Sequence, residues 1–254
     1  MPPANILITG CETGVGLCLV KEFLKIGGVR QIFATIPTKE DDYKLKKVED
    51  ERVLIIPMNI TDDKSIEEAV KTVEKKLGDD VLNLLINNAG VVVPYDFYTK
   101  TPQRSEFNRQ LEINTVSPVM VSQYFFPLLK RAAERSFNGE LNASGCGIIN
   151  ISSISGSIAR NNPADPWFNP IILGYRASKA ALNCITRDLA LHLRGDGVLV
   201  TAFCPGTTKT DESGKENAAQ TSEDSAVLLV KSILKLRDEH TGNFYQNDLT
   251  PIPF

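Results

Sequence analysis

Tyr175 and Lys179 stand four residues apart in Tyr175-Arg176-Ala177-Ser178-Lys179, a spacing that sets a phenol and an ammonium on one face of a helix. A free phenol ionises near pH 10, so it exchanges protons effectively at neutral pH only if its anion is stabilised. A nearby cation supplies that stabilisation. A shift of about three units corresponds to about 4 kcal/mol, within reach of a close cation in a dry site. Upstream, Ile148-Ile149-Asn150-Ile151-Ser152-Ser153 reads as a strand that ends in two hydroxyls. Near the start, Thr9-Gly10-Cys11-Glu12-Thr13-Gly14-Val15-Gly16 places three glycines between an apolar strand and a helix. The backbone there must turn tightly and expose its amides. The helix that follows aims its N-terminal amides and positive dipole end at the turn, so a dinucleotide pyrophosphate is the natural ligand.

These groups need a scaffold, and the apolar pattern supplies one. Strands are predicted at residues 6–9, 31–36, 53–57, 81–86, 147–152, 198–204 and 243–246, each a short apolar run. Helical spacing covers residues 15–26, 62–77 with Thr61 as its cap, about 102–135, about 174–193 and 222–236. The run at 81–86 is apolar throughout, as burial on both faces of a parallel sheet requires. Strict alternation predicts an α/β fold, a Rossmann-type doubly wound parallel sheet of about seven strands with helices on both faces. No linker or low-complexity stretch divides the chain, so residues 1–254 are expected to form one domain.

Composition narrows the function. The chain has 42% hydrophobic and 23% charged residues, the balance of an ordinary globular protein. Lys and Arg number 28 against 31 Asp and Glu, without a basic block that could track a phosphate backbone, so nucleic acid is not an expected partner. The five cysteines lack a CxxC pair, which excludes the usual zinc and dithiol spacings and predicts reduced, mostly core residues with no metal. No signal-peptide layout and no apolar run of membrane-spanning length is present, so a cytoplasmic protein without an integral membrane segment is expected.

The glycine spacing resembles that of the short-chain dehydrogenases/reductases, and further segments resemble the same family in the same order. Tyr175 and Lys179 match its YxxxK, Ser153 its substrate-polarising serine, and Asn114 in Leu111-Glu112-Ile113-Asn114-Thr115 its fourth catalytic member. Asn87-Asn88-Ala89-Gly90 looks like its NNAG, and Pro205-Gly206-Thr207-Thr208-Lys209-Thr210 like its PGxxxT. The resemblance implies hydride transfer between NAD(P)H and a ketone, aldehyde or secondary alcohol. Tyr175 would serve as acid or base, Lys179 would orient the ribose and stabilise tyrosinate, and Asn114 would support a proton path. Implied dinucleotide contacts are Gly10, Thr13, Gly14, Val15, Gly16, Thr35, Ile36, Asn59, Ile60, Asn88, Ala89, Gly90, Tyr175, Lys179, Pro205, Gly206, Thr208 and Thr210. A homodimer or homotetramer is implied as well. The segments around Ser153 and Thr241-Gly242-Asn243-Phe244 look like the carbonyl reductases of the sniffer and C-factor type.

Three departures qualify the match. Thr13 and Pro37 stand where such reductases carry arginines for the 2'-phosphate of NADP, yet no acidic residue follows the second strand to grip the 2'-hydroxyl of NAD. The expectation leans to NADP(H) over NAD(H). Asn59 replaces an aspartate that offers the adenine amino group an acceptor, which its amide oxygen can also do. Ser153 and Tyr175 are 22 residues apart, a longer interval than the family's usual one. The inserted stretch holds Trp167 and Phe168, candidates to line the substrate pocket beside Ser153 and Tyr175 or to pin a loop. A dinucleotide-sensing protein with the same fold and little turnover, or a purely structural interaction module, remains the alternative.

Overall fold

A computed structural model describes residues 2–254 apart from 96, 99, 100, 102, 137, 165–170 and 207–219. Strands and helices alternate from β1 (Asn5–Ile8), α1 (Gly14–Leu24) and β2 (Gln31–Ile36) through α2 (Tyr43–Lys46), β3 (Val53–Pro57), α3 (Asp63–Leu77) and β4 (Leu84–Asn87). The second half runs α4 (Arg104–Leu111), α5 (Ser117–Ser136), β5 (Gly147–Ile151), α6 (Leu173–Leu193), β6 (Leu199–Cys204), α7 (Ser222–Ile233) and β7 (Phe244–Gln246). All seven strands are parallel and join one sheet in the order β3-β2-β1-β4-β5-β6-β7. The doubly wound sheet predicted from alternation is thus observed. Its order reverses between β1 and β4, and a crevice opens beyond the carboxyl ends of strands at such a reversal.

The strand period of two divides the core into two layers. On β1, Ile6 and Ile8 face one cluster, formed with Val20 and Phe23 of α1 and with Leu229, Val230 and Ile233 of α7. Leu7 faces the other, with Ile66 and Val73 of α3 and Phe125, Leu128 and Leu129 of α5. Nearly every strand residue is buried on both faces, which fixes register because a one-residue slip would carry each side chain to the opposite layer.

The structure corrects several predicted boundaries. The fourth strand begins at Leu84 instead of residue 81. Asn83 Oδ1 accepts from the Asn5 amide at 3.1 Å, and Asn5 Nδ2 donates to the Val81 carbonyl at 2.7 Å, so side chains share the pairing with the backbone there. Asp62, not Thr61, caps α3, accepting from the Lys64 amide at 3.0 Å, while the Thr61 hydroxyl donates to Asn59 Oδ1 at 2.9 Å. The single long helix expected over about 102–135 is two helices separated by a π turn at Glu112–Val116. A short helical segment over 39–46 was not anticipated.

The glycine turn works by close approach. Gly10 has φ +67°, a left-handed conformation, and its carbonyl lies where a side chain on Gly16 would begin. A Cβ at Gly16 would stand 2.0 Å from that oxygen and 2.5 Å from Asn88 Nδ2. Only hydrogen fits there. Gly16→Ala is therefore expected to lower unfolding free energy by about 2–3 kcal/mol in urea titration. Gly27→Ala, where a Cβ would meet nothing within 4 Å, should stay within about 1 kcal/mol of wild type. Equal effects at the two positions would contradict the packing described.

Candidate active site

Helix α6 presents Tyr175, Lys179 and Asn183 on one stripe, each a turn from the next. It packs against β6 and against the short turn Ile154–Gly156 that follows β5, which brings the stripe to the carboxyl end of the sheet. The Lys179 side chain runs inward until only 4% of the residue is exposed, and Nζ donates to the Ile151 carbonyl at 2.8 Å. Nζ lies 5.8 Å from the centre of the Tyr175 ring. Ser153, two residues beyond Ile151, lines the same cleft as Tyr175 and Lys179, and its Oγ accepts from the Ser155 amide at 3.1 Å.

Burial sets the charges. It pushes the Tyr175 phenol up to about 12, against the pull of a hydrogen bond with Ser153 and aided by the Cys204 thiol. It pulls the Lys179 ammonium down to about 8, opposed by Cys204. The cation expected to stabilise tyrosinate is thus bonded to a backbone carbonyl, and desolvation outweighs it. The phenol keeps its proton through neutral pH.

Several positioning residues escaped the motif reading. Ser152 Oγ donates to Asn183 Oδ1 at 2.6 Å, and Asn183 Nδ2 donates to the Gly156 carbonyl at 3.3 Å, so Asn183 binds the serine turn to α6. Behind them Asn87 Nδ2 donates to Asn150 Oδ1 at 2.9 Å and Asn150 Nδ2 to Thr186 Oγ1 at 2.9 Å. The signal was a polar residue at alternate places in an otherwise apolar strand, Asn150 then Ser152.

Asn114 sits fully buried in the π turn. Its Oδ1 accepts from the Val91 amide at 2.8 Å, while Nδ2 donates to the Val91 carbonyl at 2.8 Å and to Ser178 Oγ at 3.0 Å. A first side-chain carbon on Gly90 would lie 3.0 Å from Asn114 Oδ1 and 3.5 Å from Lys179 Nζ, so the two groups converge on Gly90. The side chain of Asn114 fastens the loop after β4 to α6 at the point where the helix ladder opens.

From this centre a cleft of about 760 Å³ runs across the sheet to Ile36, Pro37, Met58, Asn59, Ile60 and Thr61. Gly10, Thr13, Gly14, Val15, Gly16, Asn88, Ala89, Gly90, Pro205 and Gly206 line the cleft as well. A dinucleotide fits these walls: the cradle at Gly16 admits no side chain, and α1 opens on the turn with Thr13 as a cap whose hydroxyl makes no cap bond. Asn88 Nδ2 donates to the carbonyls of Thr9 and Gly10, both at 2.9 Å, so its amide shapes the glycine turn. Pro205 is held hard: its carbonyl accepts from Gln220, Ser225 and Asn247 at 2.7, 2.5 and 3.0 Å, partners that no local pattern announced.

Two expected contacts do not meet the cleft in the expected way. Thr35 is buried, its Oγ1 has no hydrogen-bond partner, and it does not line the cleft, because its place on β2 points into the α3 layer. Asn59 Oδ1 already accepts from the amide and the hydroxyl of Thr61, at 3.1 and 2.9 Å, which occupies both lone pairs intended for adenine. Trp167 and Phe168 lie outside the described residues, as do Thr208 and Thr210. Of the cysteines, Cys11, Cys18, Cys146 and Cys204 are buried as expected and Cys184 is exposed. Among the described residues no cluster suited to a metal and no helix long and apolar enough to cross a membrane occurs.

A family model described as short chain dehydrogenase matches residues 4–221. Sniffer of Caenorhabditis elegans is 38% identical over the whole of both chains, with a TM-score of 0.88. The carbonyl reductase Sniffer of D. melanogaster is 31% identical over 99% of this chain and 100% of its own, with a TM-score of 0.92. The NADPH-bound carbonyl reductase from chicken fatty liver is 31% identical over 100% of this chain and 95% of its own, with a TM-score of 0.93.

Lys179 trades stability for position. A drop from 10.5 to about 8 disfavours the buried ammonium by about 3 kcal/mol. Below pH 8 both folded and unfolded chains are protonated and the cost is complete. It fades as pH rises from 8 to 10.5, because there the unfolded chain binds the extra proton, and above that range both carry a neutral amine. Lys179→Met, which also loses a hydrogen bond of about 1 kcal/mol, is expected to unfold about 2 kcal/mol harder than wild type at neutral pH. That advantage should shrink as urea titrations are moved towards pH 10.5. A variant less stable than wild type at neutral pH would contradict the assignment.

Proposed function

The chain belongs to the short-chain dehydrogenase family, and from that premise we propose that it reduces a ketone or aldehyde, taking hydride from NADP(H) in preference to NAD(H). One observation carries this reading: Tyr175, Lys179 and Ser153 meet in a single cleft that the glycine cradle also lines. When bound, the reduced dinucleotide would supply the hydride. Ser153 Oγ stands beside Tyr175 and would hydrogen-bond the carbonyl oxygen as negative charge develops. Tyr175, protonated at neutral pH, would deliver its proton to that oxygen. Lys179 would hold the ribose and then favour the tyrosinate left behind, while Asn114 keeps the loop after β4 against α6.

The protonated phenol is the form that reduction uses, whereas oxidation of an alcohol starts from the phenolate. Ile36 and Pro37, which line the cleft after β2, offer no carboxylate to grip a 2'-hydroxyl, which supports NADP(H), as does the NADPH bound to the chicken reductase.

Tyr175→Phe is expected to lower kcat at least a hundredfold on any carbonyl compound the wild type reduces, with NADPH affinity within about threefold. Stopped-flow hydride transfer and calorimetric binding check the two halves. Near-normal turnover in the variant would remove Tyr175 from the chemistry.

A further inference from the structure

The mouth of the cleft is walled with exposed apolar side chains. Ten large apolar residues are exposed among the described residues, and six of them belong to three segments around this mouth: Val92, Phe97, Tyr98, Ile158, Ile171 and Leu173. Phe97, Tyr98 and Ile158 are 75%, 89% and 74% exposed. The segments are held together. The Tyr95 amide donates to the Ile171 carbonyl at 2.6 Å, a bridge pairs Tyr95 with Ile172, and the Tyr95 ring meets Phe107 edge-on at 5.4 Å. Phe97 and Tyr98 brace each other edge-on at 5.9 Å. Ile158 follows the serine turn, whose Ser157 Oγ donates to the Pro253 carbonyl at 2.5 Å, so it too rests on a fastened segment.

Val92 and Ile171 are exposed and also line the cleft, and Pro94, Ile154 and Ile172 carry the apolar wall inward to Ser153 and Tyr175. A large exposed apolar surface marks a binding region, and apolar side chains on segments that also line a catalytic cleft are placed to meet what enters it. We propose that the preferred substrates are carbonyl compounds with a long aliphatic tail. The carbonyl lies at Ser153 and Tyr175, and the tail runs outward over Val92 and Ile171 to Phe97, Tyr98 and Ile158. This assignment rests on the catalytic reading above and adds the class of substrate to it.

Straight-chain aldehydes of four to ten carbons, reduced with NADPH, test it. In the wild type kcat/KM should rise about fourfold per added methylene, the gain expected for each CH2 removed from water. In Phe97→Ser/Tyr98→Ser and in Ile158→Ser the ratio of ten-carbon to four-carbon kcat/KM should fall at least tenfold. Because a ratio is read, a loss of folded protein does not mimic the effect. Calorimetry on the NADP-loaded protein reads the tail without turnover: 1-octanol should bind at least tenfold tighter than 1-butanol in wild type, and the difference should shrink in the variants. A flat chain-length profile, or a ratio unchanged in both variants, overturns the proposal. If no carbonyl compound of any length is reduced, the catalytic reading fails, and alkanol binding still decides the tail assignment on its own.

Discussion

The ammonium of Lys179, buried and bonded to the carbonyl that ends β5, ties the helix bearing the acid-base pair to the strand that leads to Ser153. Neither element would hold that relation by apolar packing alone, because packing tolerates small slides that hydrogen bonds do not. Asn183 adds a second tie a turn further along α6, gripping Ser152 and Gly156 from the same helix face. Asn114 adds a third, fastening the loop after β4 to the helix through Val91 and Ser178. The result is a phenol and a hydroxyl set beside each other on rigid elements, with the loop walls held around them.

That arrangement carries a tension. A dry site strengthens each interaction inside it, yet the same dryness raises the phenol and lowers the ammonium. Both groups are pushed towards neutrality, which leaves Tyr175 holding its proton and leaves Lys179 close to losing one. The reacting centre is thus a place where the fold accepts a local cost, while the two apolar layers on either side of the sheet supply the stability that tolerates it.

How much of this could be read from the chain alone follows from the range of the contacts. Strand-helix alternation, the glycine turn and the pairing of Tyr175 with Lys179 are local patterns, and each appears where its spacing put it. The joint between α4 and α5 was not legible, because the apolar spacing continues through the π turn and only Asn114's distant bonds to Val91 and Ser178 give it a purpose. The grip on Pro205 by Gln220, Ser225 and Asn247 joins residues up to 42 positions apart and leaves no periodic trace. Asn59 misled for a similar reason: its oxygen looks available in sequence, and Thr61, two residues on, takes it.

The ionisation of Tyr175 itself tests the central claim most directly. With ring-labelled tyrosine, the carbon resonance that disappears in a Tyr175→Phe control identifies the residue, and its shift reports phenol or phenolate. The structure predicts that the ligand-free protein shows this ring as phenol at pH 10.5, above the ordinary midpoint near 10, because burial holds it near 12. A midpoint at or below 10 would contradict the desolvated phenol described at this site.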